Sequence, residues 1–339
     1  MADVVGGVRT FVEELTRGLT ERGSEVHLAL LGSEPPEAAH FAASCQVRPL
    51  KLEWMADPWR DVETTSWWVG ELCARHRPDV VHMNTFARVL DPDIPVLLTA
   101  HSCVATWWRA VHGTDLPSRW TRYRELVRRA LDRADALCVP TRALRDELAA
   151  VYGWLPKARV IPNGRAFSPR PETRDGSLVV SAGRLWDEGK NASLVARAAP
   201  AISGRVLMIG PGAISGVQSL GPLPNHEVAR WLARAAVFAE PARYEPFGLA
   251  ALEAALCGCA LVLGDIPSLH EVWHDAASYV APDDPDALAA TVNRLLADPL
   301  DRARAAEAAR ARAARYTPGA MAESYMSAYR EVARTGVPA

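Results

Sequence analysis

The chain has 339 residues, 49% hydrophobic and 23% charged, with a formal net charge of −2. That length exceeds what one hydrophobic core usually holds, so two domains are expected. The near-neutral charge argues against a general nucleic-acid binder, and no apolar run has the length needed to cross a bilayer. The opening MADVVGGVRTFVEEL lacks the basic-then-apolar order of a signal peptide, so a cytoplasmic location is expected. The six cysteines are scattered, and the close pair Cys257 and Cys259 sits in apolar sequence that reads as packing rather than a metal or redox site. Basic charge is nearly all arginine, with lysine at Lys51, Lys157 and Lys190.

Apolar runs alternate with helical patterns along the whole chain. The first half reads as a helix over Thr10 to Arg22, a turn and strand over Gly23 to Leu31, and a helix over Ser66 to Arg77. Strands follow at Pro78 to Asn84 and Pro95 to His101, then a helix over Trp120 to Ala134. A strand at Ala134 to Pro140, a helix from Thr141 and a short strand at Arg159 to Gly164 complete it. This is the βα alternation of a mostly parallel α/β sheet covered by helices. A loop-like stretch rich in proline and charge, Ala166 to Ser177, suits a domain boundary. The alternation then restarts, with strands at SLVVSAG, GRVLMIG, AVFAEP and CALVLGD. Helices are expected over His226 to Ala235, Leu249 to Leu256, Asp286 to Asp298, Asp301 to Arg315 and Pro318 to Thr335. Two α/β units in tandem imply a cleft, a usual place for a ligand. The opening is irregular. A Rossmann-like half should begin with an apolar strand, yet Gly6 and Gly7 come after only five residues. The first strand is therefore expected to be short or missing.

Several residues stand where chemistry is done. Gly6 and Gly7 precede a helix, whose start offers unpaired N–H groups to an anion, although a tight turn is the plainer local reading. Asn84 and His101 each end an expected strand, and strand ends in open α/β sheets face the crevice. His101 there can hydrogen-bond a sugar hydroxyl, polarise a reacting group, or be a structural histidine. Trp107 and Trp108, expected in the following loop, form an apolar platform for a sugar ring or fill space. In GRLWDEGKN, Arg184 closes a strand and Lys190 follows near a helix start. Two such cations can clamp a diphosphate and stabilise it as it leaves, or pair with Asp187 and Glu188 as a salt-bridged surface. EPFGLAALEAALCG, from Glu245 to Gly258, carries the strongest signal. Glu245 precedes a turn with Pro246 and Gly248, and Leu249 opens a helix whose N–H groups around Gly248 to Ala250 suit an anion or a sugar oxygen. Glu253 lies one helical turn past Leu249 on the same face. A glutamate among apolar helix residues is costly to bury without partners, which argues for a ligand partner.

At these residues the chain resembles the retaining nucleotide-sugar glycosyltransferases of family four, whose fold is GT-B. The resemblance covers nearly the whole chain. Its most specific parts are GRLWDEGKN, the EPFGLAALEA run, and GDIPSLHEVWHDAASYVAPDDPDALA from Gly264 to Ala289. It implies an α/β architecture of two Rossmann-like domains facing across a cleft. Residues 1–165 would form an N-terminal acceptor-binding domain, 166–177 a linker and 178–315 a nucleotide-sugar-binding domain. Residues 316–339 would form a helix packing back on the N-terminal domain. It further implies that Glu245 contacts hydroxyls of the donor sugar and that Phe247, Gly248 and Leu249 line the sugar and phosphate site. Glu253 would bind the nucleotide ribose, and Arg184 and Lys190 would neutralise the diphosphate. Gly7 would lie near the phosphate and acceptor, and His101 near the reacting sugar. Gly6, Asn84, Trp107 and Trp108 are the weaker acceptor-side candidates. One departure is Ala242, where relatives often carry serine after the proline at Pro241.

The implied reaction moves a sugar from a nucleoside diphosphate to an acceptor hydroxyl with retention, by same-face attack in which the leaving phosphate helps deprotonate the acceptor. No carboxylate suits a covalent double displacement, and no paired-aspartate motif suits a metal, so neither metal nor cofactor is expected. UDP-, GDP-, ADP- and TDP-sugars all remain open as donors, as do acceptor and oligomeric state. Alternatives are a phosphorylase or epimerase of the same architecture, a non-catalytic nucleotide-sugar-binding subunit, and a membrane-associated glycolipid transferase. The last would use the arginines of the helix from Trp120, but Glu125 and Asp132 interrupt that stripe and a solvated face is preferred. The tryptophans of the N-terminal half hint at an aromatic-lined pocket for a small or cyclic acceptor.

Overall fold

The computed structural model describes residues 6–32, 37–90, 93–167 and 171–335. The short or missing first strand falls on residues 1–5, and part of the expected linker on residues 168–170; both lie outside the described residues. The chain forms two compact units. One comprises Met1–Arg109, Thr114–Gly164 and Thr317–Ala339, the other Ala110–Gly113 and Arg165–Tyr316.

In the first unit, α1 (Gly7–Thr20) buries Phe11, Val12, Leu15 and Leu19 at the i, i+1, i+4, i+8 spacing of an amphipathic helix. β1 (His27–Leu31) pairs in parallel with β2 (Ser44–Arg48). α2 (Trp59–His76) starts well before Ser66, with Asp61 in its first turn. β3 (Val81–Met83), β4 (Val96–Thr99), β5 (Ala136–Val139) and β6 (Ala158–Val160) form a second parallel sheet in chain order. Between them run α3 (Val104–His112), α4 (Thr121–Arg133) and α5 (Arg142–Tyr152). Two elements differ from expectation. Polar SCQVR hides β2, which the sheet pairing of β1 draws into strand. Trp107 and Trp108 lie on α3 and not in a loop. Their segment has weak helix propensity, and burial of Ala105 and Thr106 overrides it.

The second unit holds β7 (Asp175–Ala182), α6 (Ala192–Ala198), β8 (Arg205–Ile209), β9 (Gln218–Ser219), α7 (Asn225–Arg234) and β10 (Ala235–Glu240). α8 (Leu249–Leu256), β11 (Ala260–Gly264), α9 (Pro267–Trp273), β12 (Ser278–Val280), α10 (Pro285–Ala297) and α11 (Pro299–Ala313) follow. β7 thus begins inside the stretch expected to be linker. The sheet order is β12-β11-β10-β7-β8-β9, every pair parallel. Alternation along β7 serves two cores at once. Leu178 and Val180 pack with α7, α8 and α11, while Val179 packs with α6 and α10. Burial on both faces explains why these strands read as unbroken apolar runs. This is the Rossmann order, with the chain winding outward in both directions from the β7–β10 pair.

α12 (Pro318–Thr335) belongs to the first unit. Its Met321, Ala322, Tyr325, Ala328 and Val332 join the core made by α1. The two helices approach at Gly18, where a Cβ would stand 2.7 Å from that of Ala322. Tyr329 and Tyr325 reach the strands below, as hydroxyl partners of His82 Nδ1 (2.7 Å) and Thr99 (3.1 Å). No helix among the described residues is long and apolar enough to cross a membrane.

Candidate functional site

β7 and β10 are neighbours, yet the chain leaves β7 toward β8 and β10 toward β11. The helices that follow them therefore pack on opposite faces of the sheet, α6 in one core and α8 in the other, and at such a switch point open α/β sheets form the crevice in which they bind ligands. Both motifs singled out from sequence emerge there. Gly183 to Asn191 follows β7, and Pro241 to Gly248 follows β10.

Backbone contacts lock the two loops together. The Gly189 carbonyl accepts the N–H groups of Arg243 (2.9 Å) and Tyr244 (3.1 Å). Asn191, held at φ 56°, donates its amide to the carbonyls of Pro241 (2.8 Å) and Pro282 (2.7 Å). Asp187 accepts the Gly189 N–H at 2.9 Å and the Arg184 guanidinium at 2.7 Å. The salt-bridged alternative for Arg184 is therefore real in this structure, and it also aims the guanidinium, which lies 5.6 Å from the ring centre of exposed Trp186. Gly183 sits at φ 154°, a backbone conformation that favours glycine, and the Lys190 stem passes 3.6 Å from where its Cβ would be. Ala242, the departure from the family pattern, is fully buried and its carbonyl lies 2.1 Å from where a Cβ on Gly264 would be.

Lys190 is the hub. Its Nζ donates to Glu240 Oε1 at 2.6 Å and to Glu245 Oε2, and all three side chains are largely buried. Burial alone would lower the lysine pKa, but the two carboxylates outweigh it and raise it. Glu245 Oε1 also accepts the N–H groups of Phe247 (3.2 Å) and Gly248 (2.8 Å). Burial would raise its pKa; Lys190 and these N–H groups hold it below the ordinary value. Burial, with Glu245 adding to it, pushes Glu240 up to about 7. Ser268 Oγ donates to the Glu245 carbonyl at 2.6 Å, fixing the turn from below.

Gly248, at φ 91°, is the N-cap of α8, and Leu249 opens the helix. The Gly248 N–H expected to face a ligand is instead taken by Glu245, which leaves the helix start beyond it, at Leu249 and Ala250, for an anion. The Phe247 ring is core, buried edge-on against Tyr316 at 5.3 Å. Glu253, one turn along, is bound by Arg165 Nε at 2.7 Å. The partner that a buried glutamate demands is thus supplied in part by the protein itself. Glu240, Arg165, Asn191 and Ser268 were not singled out from sequence. A carboxylate closing the otherwise apolar strand AVFAEP was the visible signal for the first.

In the first unit, Gly6 is the N-cap of α1 at φ 124°, and Gly7 is its first residue; both are exposed. His101 Nε2 meets Asn84 Oδ1 at 2.8 Å, so the two strand-end candidates form one pair. Because Oδ1 accepts, Nε2 carries the proton and Nδ1 is the acceptor. Burial pulls the His101 pKa down to about 3, so the ring is neutral. The Phe11 ring packs edge-on against it at 4.5 Å. Trp108 donates to Thr114 Oγ1 at 3.2 Å and lies under the Arg119 guanidinium at 5.1 Å. Cys257 and Cys259 are free and buried, their thiols directed at helix carbonyls, as packing requires. Among the described residues no cluster of His, Cys, Asp or Glu is arranged to hold a metal ion.

Comparison with known proteins places the chain in a family. The family model described as Glycosyltransferase Family 4 matches residues 5–166, and that described as Glycosyl transferases group 1 matches residues 176–298. The chain is a family-four-like glycosyltransferase of GT-B fold. It is 28% identical to D-inositol 3-phosphate glycosyltransferase of Xylanimonas cellulosilytica, over 97% of this chain and 92% of that one. The solved sucrose-phosphate synthase of Thermosynechococcus elongatus superposes with a TM-score of 0.82 at 20% identity, covering 98% of this chain and 94% of the other. HepE of Anabaena, solved with UDP and glucose, gives 0.75 at 15% identity and 98% coverage of both chains. At these identities the solved structures establish the fold, and membership rests on the family models and sequence relatives.

Proposed function

We propose that this glycosyltransferase moves a sugar from a nucleoside diphosphate to a hydroxyl of a small-molecule or saccharide acceptor, with retention at the anomeric carbon. The observation that carries the proposal is Lys190 held with Glu245 at the β7–β10 crevice, with Arg184 on the same loop as Lys190 and Glu245 bonded to the N-cap of α8. In this reading Arg184 and Lys190 take the diphosphate and stabilise the charge on the departing oxygen. The α8 N-terminus adds its dipole, Glu245 accepts hydroxyls of the sugar, and Glu253, steadied by Arg165, accepts those of the ribose. Protein cations supply the neutralisation, so transfer is metal-independent. Neutral His101 gives the reacting sugar a hydrogen-bonding group, with Gly6, Gly7 and Asn84 beside the acceptor.

Three comparisons support donor and acceptor classes. HepE was solved with UDP and glucose, and the inositol-phosphate and sucrose-phosphate relatives are named for small phosphorylated products or acceptors. A lipid acceptor is less favoured because three of the five α4 arginines have acidic partners. Arg122 pairs with Glu63 (3.2 Å), Arg128 with Asp132 (2.9 Å) and Arg129 with Glu125 (3.7 Å).

The test is a screen of UDP-, GDP-, ADP- and TDP-sugars against sugar phosphates, saccharides and small aglycones, read by product mass, with anomeric configuration by NMR. Transfer should persist in EDTA. Glu245→Ala should lower turnover by at least ~10²-fold while the second unit keeps a cooperative melting transition. Near-normal turnover in that variant would remove Glu245 from the reaction.

A further inference from the structure

Glu240 ends β10 inside the crevice, and its side chain is 2% exposed. One carboxylate oxygen accepts from Lys190 at 2.6 Å. The other, Oε2, is buried with no hydrogen-bond partner among the described residues. Glu245 shares the same ammonium but also holds the N–H groups of Phe247 and Gly248. Two buried carboxylates thus depend on one cation, and they depend on it unequally. The charged groups acting on Glu240 are Lys190 and Asp187 from the loop after β7, and Glu245 from the loop before α8. Lys190 is the favourable one, and the charge of Asp187 is already shared with Arg184.

We propose that Glu240 takes up a proton when a nucleoside diphosphate enters, so that donor binding and product release are coupled to one proton exchanged with solvent. The inference rests on the donor-site reading above. Diphosphate oxygens arriving at Lys190 draw off the ammonium on which both carboxylates lean. Glu245 keeps two backbone donors and stays ionised. Glu240 keeps none, and an ionised carboxylate in that position is costly. A proton from solvent removes the charge and converts Glu240 into an O–H donor, which Glu245 or a phosphate oxygen can accept. When the diphosphate leaves, Lys190 returns and the proton goes back to solvent. The free protein's Glu240, already raised to about 7 by burial, stands close to this change.

The sign follows from linkage. The bound state holds one more proton than the free state wherever free Glu240 is ionised. Affinity is therefore flat below about pH 7, where the group is already protonated, and weakens about tenfold per pH unit above it. Lys190, raised by its glutamates, keeps its charge throughout that range.

Isothermal calorimetry with UDP, or with whichever of GDP, ADP and TDP binds in its place, tests this in buffers of different ionisation enthalpy. Wild type above neutrality should take up close to one proton per nucleotide bound. Glu240→Gln, which keeps the shape and is always neutral, should bind with no such uptake and with affinity flat across the same range. Wild-type binding without proton uptake overturns the proposal, as does a Glu240→Gln variant that retains the slope. Should the variant not fold, the wild-type buffer comparison decides alone. If no nucleoside diphosphate binds at any pH, the donor-site reading falls and takes this one with it. Binding without linkage sinks the proton coupling alone.

Discussion

Two of the buried ion pairs in the second unit join residues far apart in sequence. Lys190 and Glu240 are 50 positions apart, and Arg165 and Glu253 are 88. Spacing along the chain can suggest that Lys190 and Glu245 face one crevice, because each lies in a loop that follows a parallel strand. It does not reveal that Glu253 meets Arg165, since nothing local to Arg165 marks it. The Arg165–Glu253 pair has side-chain exposures of 9% and 16%, so little solvent remains to stabilise either partner alone. Arg165→Ala should accordingly destabilise the second unit by about 3 kcal/mol, measured by urea unfolding, and should weaken nucleotide binding by freeing Glu253. An unchanged unfolding midpoint would mean that solvent or another group replaces the arginine.

Strands place the chemistry and helices supply the dipoles. Beside the crevice, β7 and β8 end in a close backbone contact between two glycines. Gly210, at φ 137°, brings its backbone so close that a Cβ would stand 1.8 Å from the Gly183 carbonyl oxygen. The Lys190 stem lies beside Gly183. Gly210→Ala should therefore cost more than ~2 kcal/mol and displace the lysine. Gly216→Ala also has positive φ but meets open space, so it should cost only about 1 kcal/mol. Thermal melts of the two variants side by side test the difference, and equal losses would show that φ alone governs both. The long apolar strands β7, β8, β10 and β11 were legible because burial on both faces leaves continuous apolar runs. β2, β12, α6 and α9 were not, because each is short or polar and owes its conformation to the neighbours it packs against.

For the molecule as a whole, the chain does not deliver its units in sequence order. α12 is the last helix in sequence but belongs to the core that α1 opens. Its residues Met321, Tyr325 and Val332 are 3% exposed or less. At about 1.5–3 kcal/mol for each large buried side chain, its removal matches much of a domain's total stability. A chain ending at Tyr316 should leave Phe11, Leu15 and Leu19 uncovered. The first unit should then lose its cooperative transition and bind a hydrophobic dye, while the melt of the second unit persists. A first-unit transition kept intact would show that α1 is held by other contacts.

The sequence by itself determined the α/β class, the tandem units and the family. It also determined which strand ends carry cations and carboxylates, because apolar alternation and short motifs are properties of neighbouring residues. Tertiary structure decided what those groups do to one another. It set Lys190 between two glutamates, gave Glu253 a protein partner, made His101 a neutral ring paired with Asn84, and placed Trp107 and Trp108 on a helix. Burial, field and hydrogen bonding depend on which distant segments meet, and that follows from the packing of the whole sheet rather than from any stretch of it.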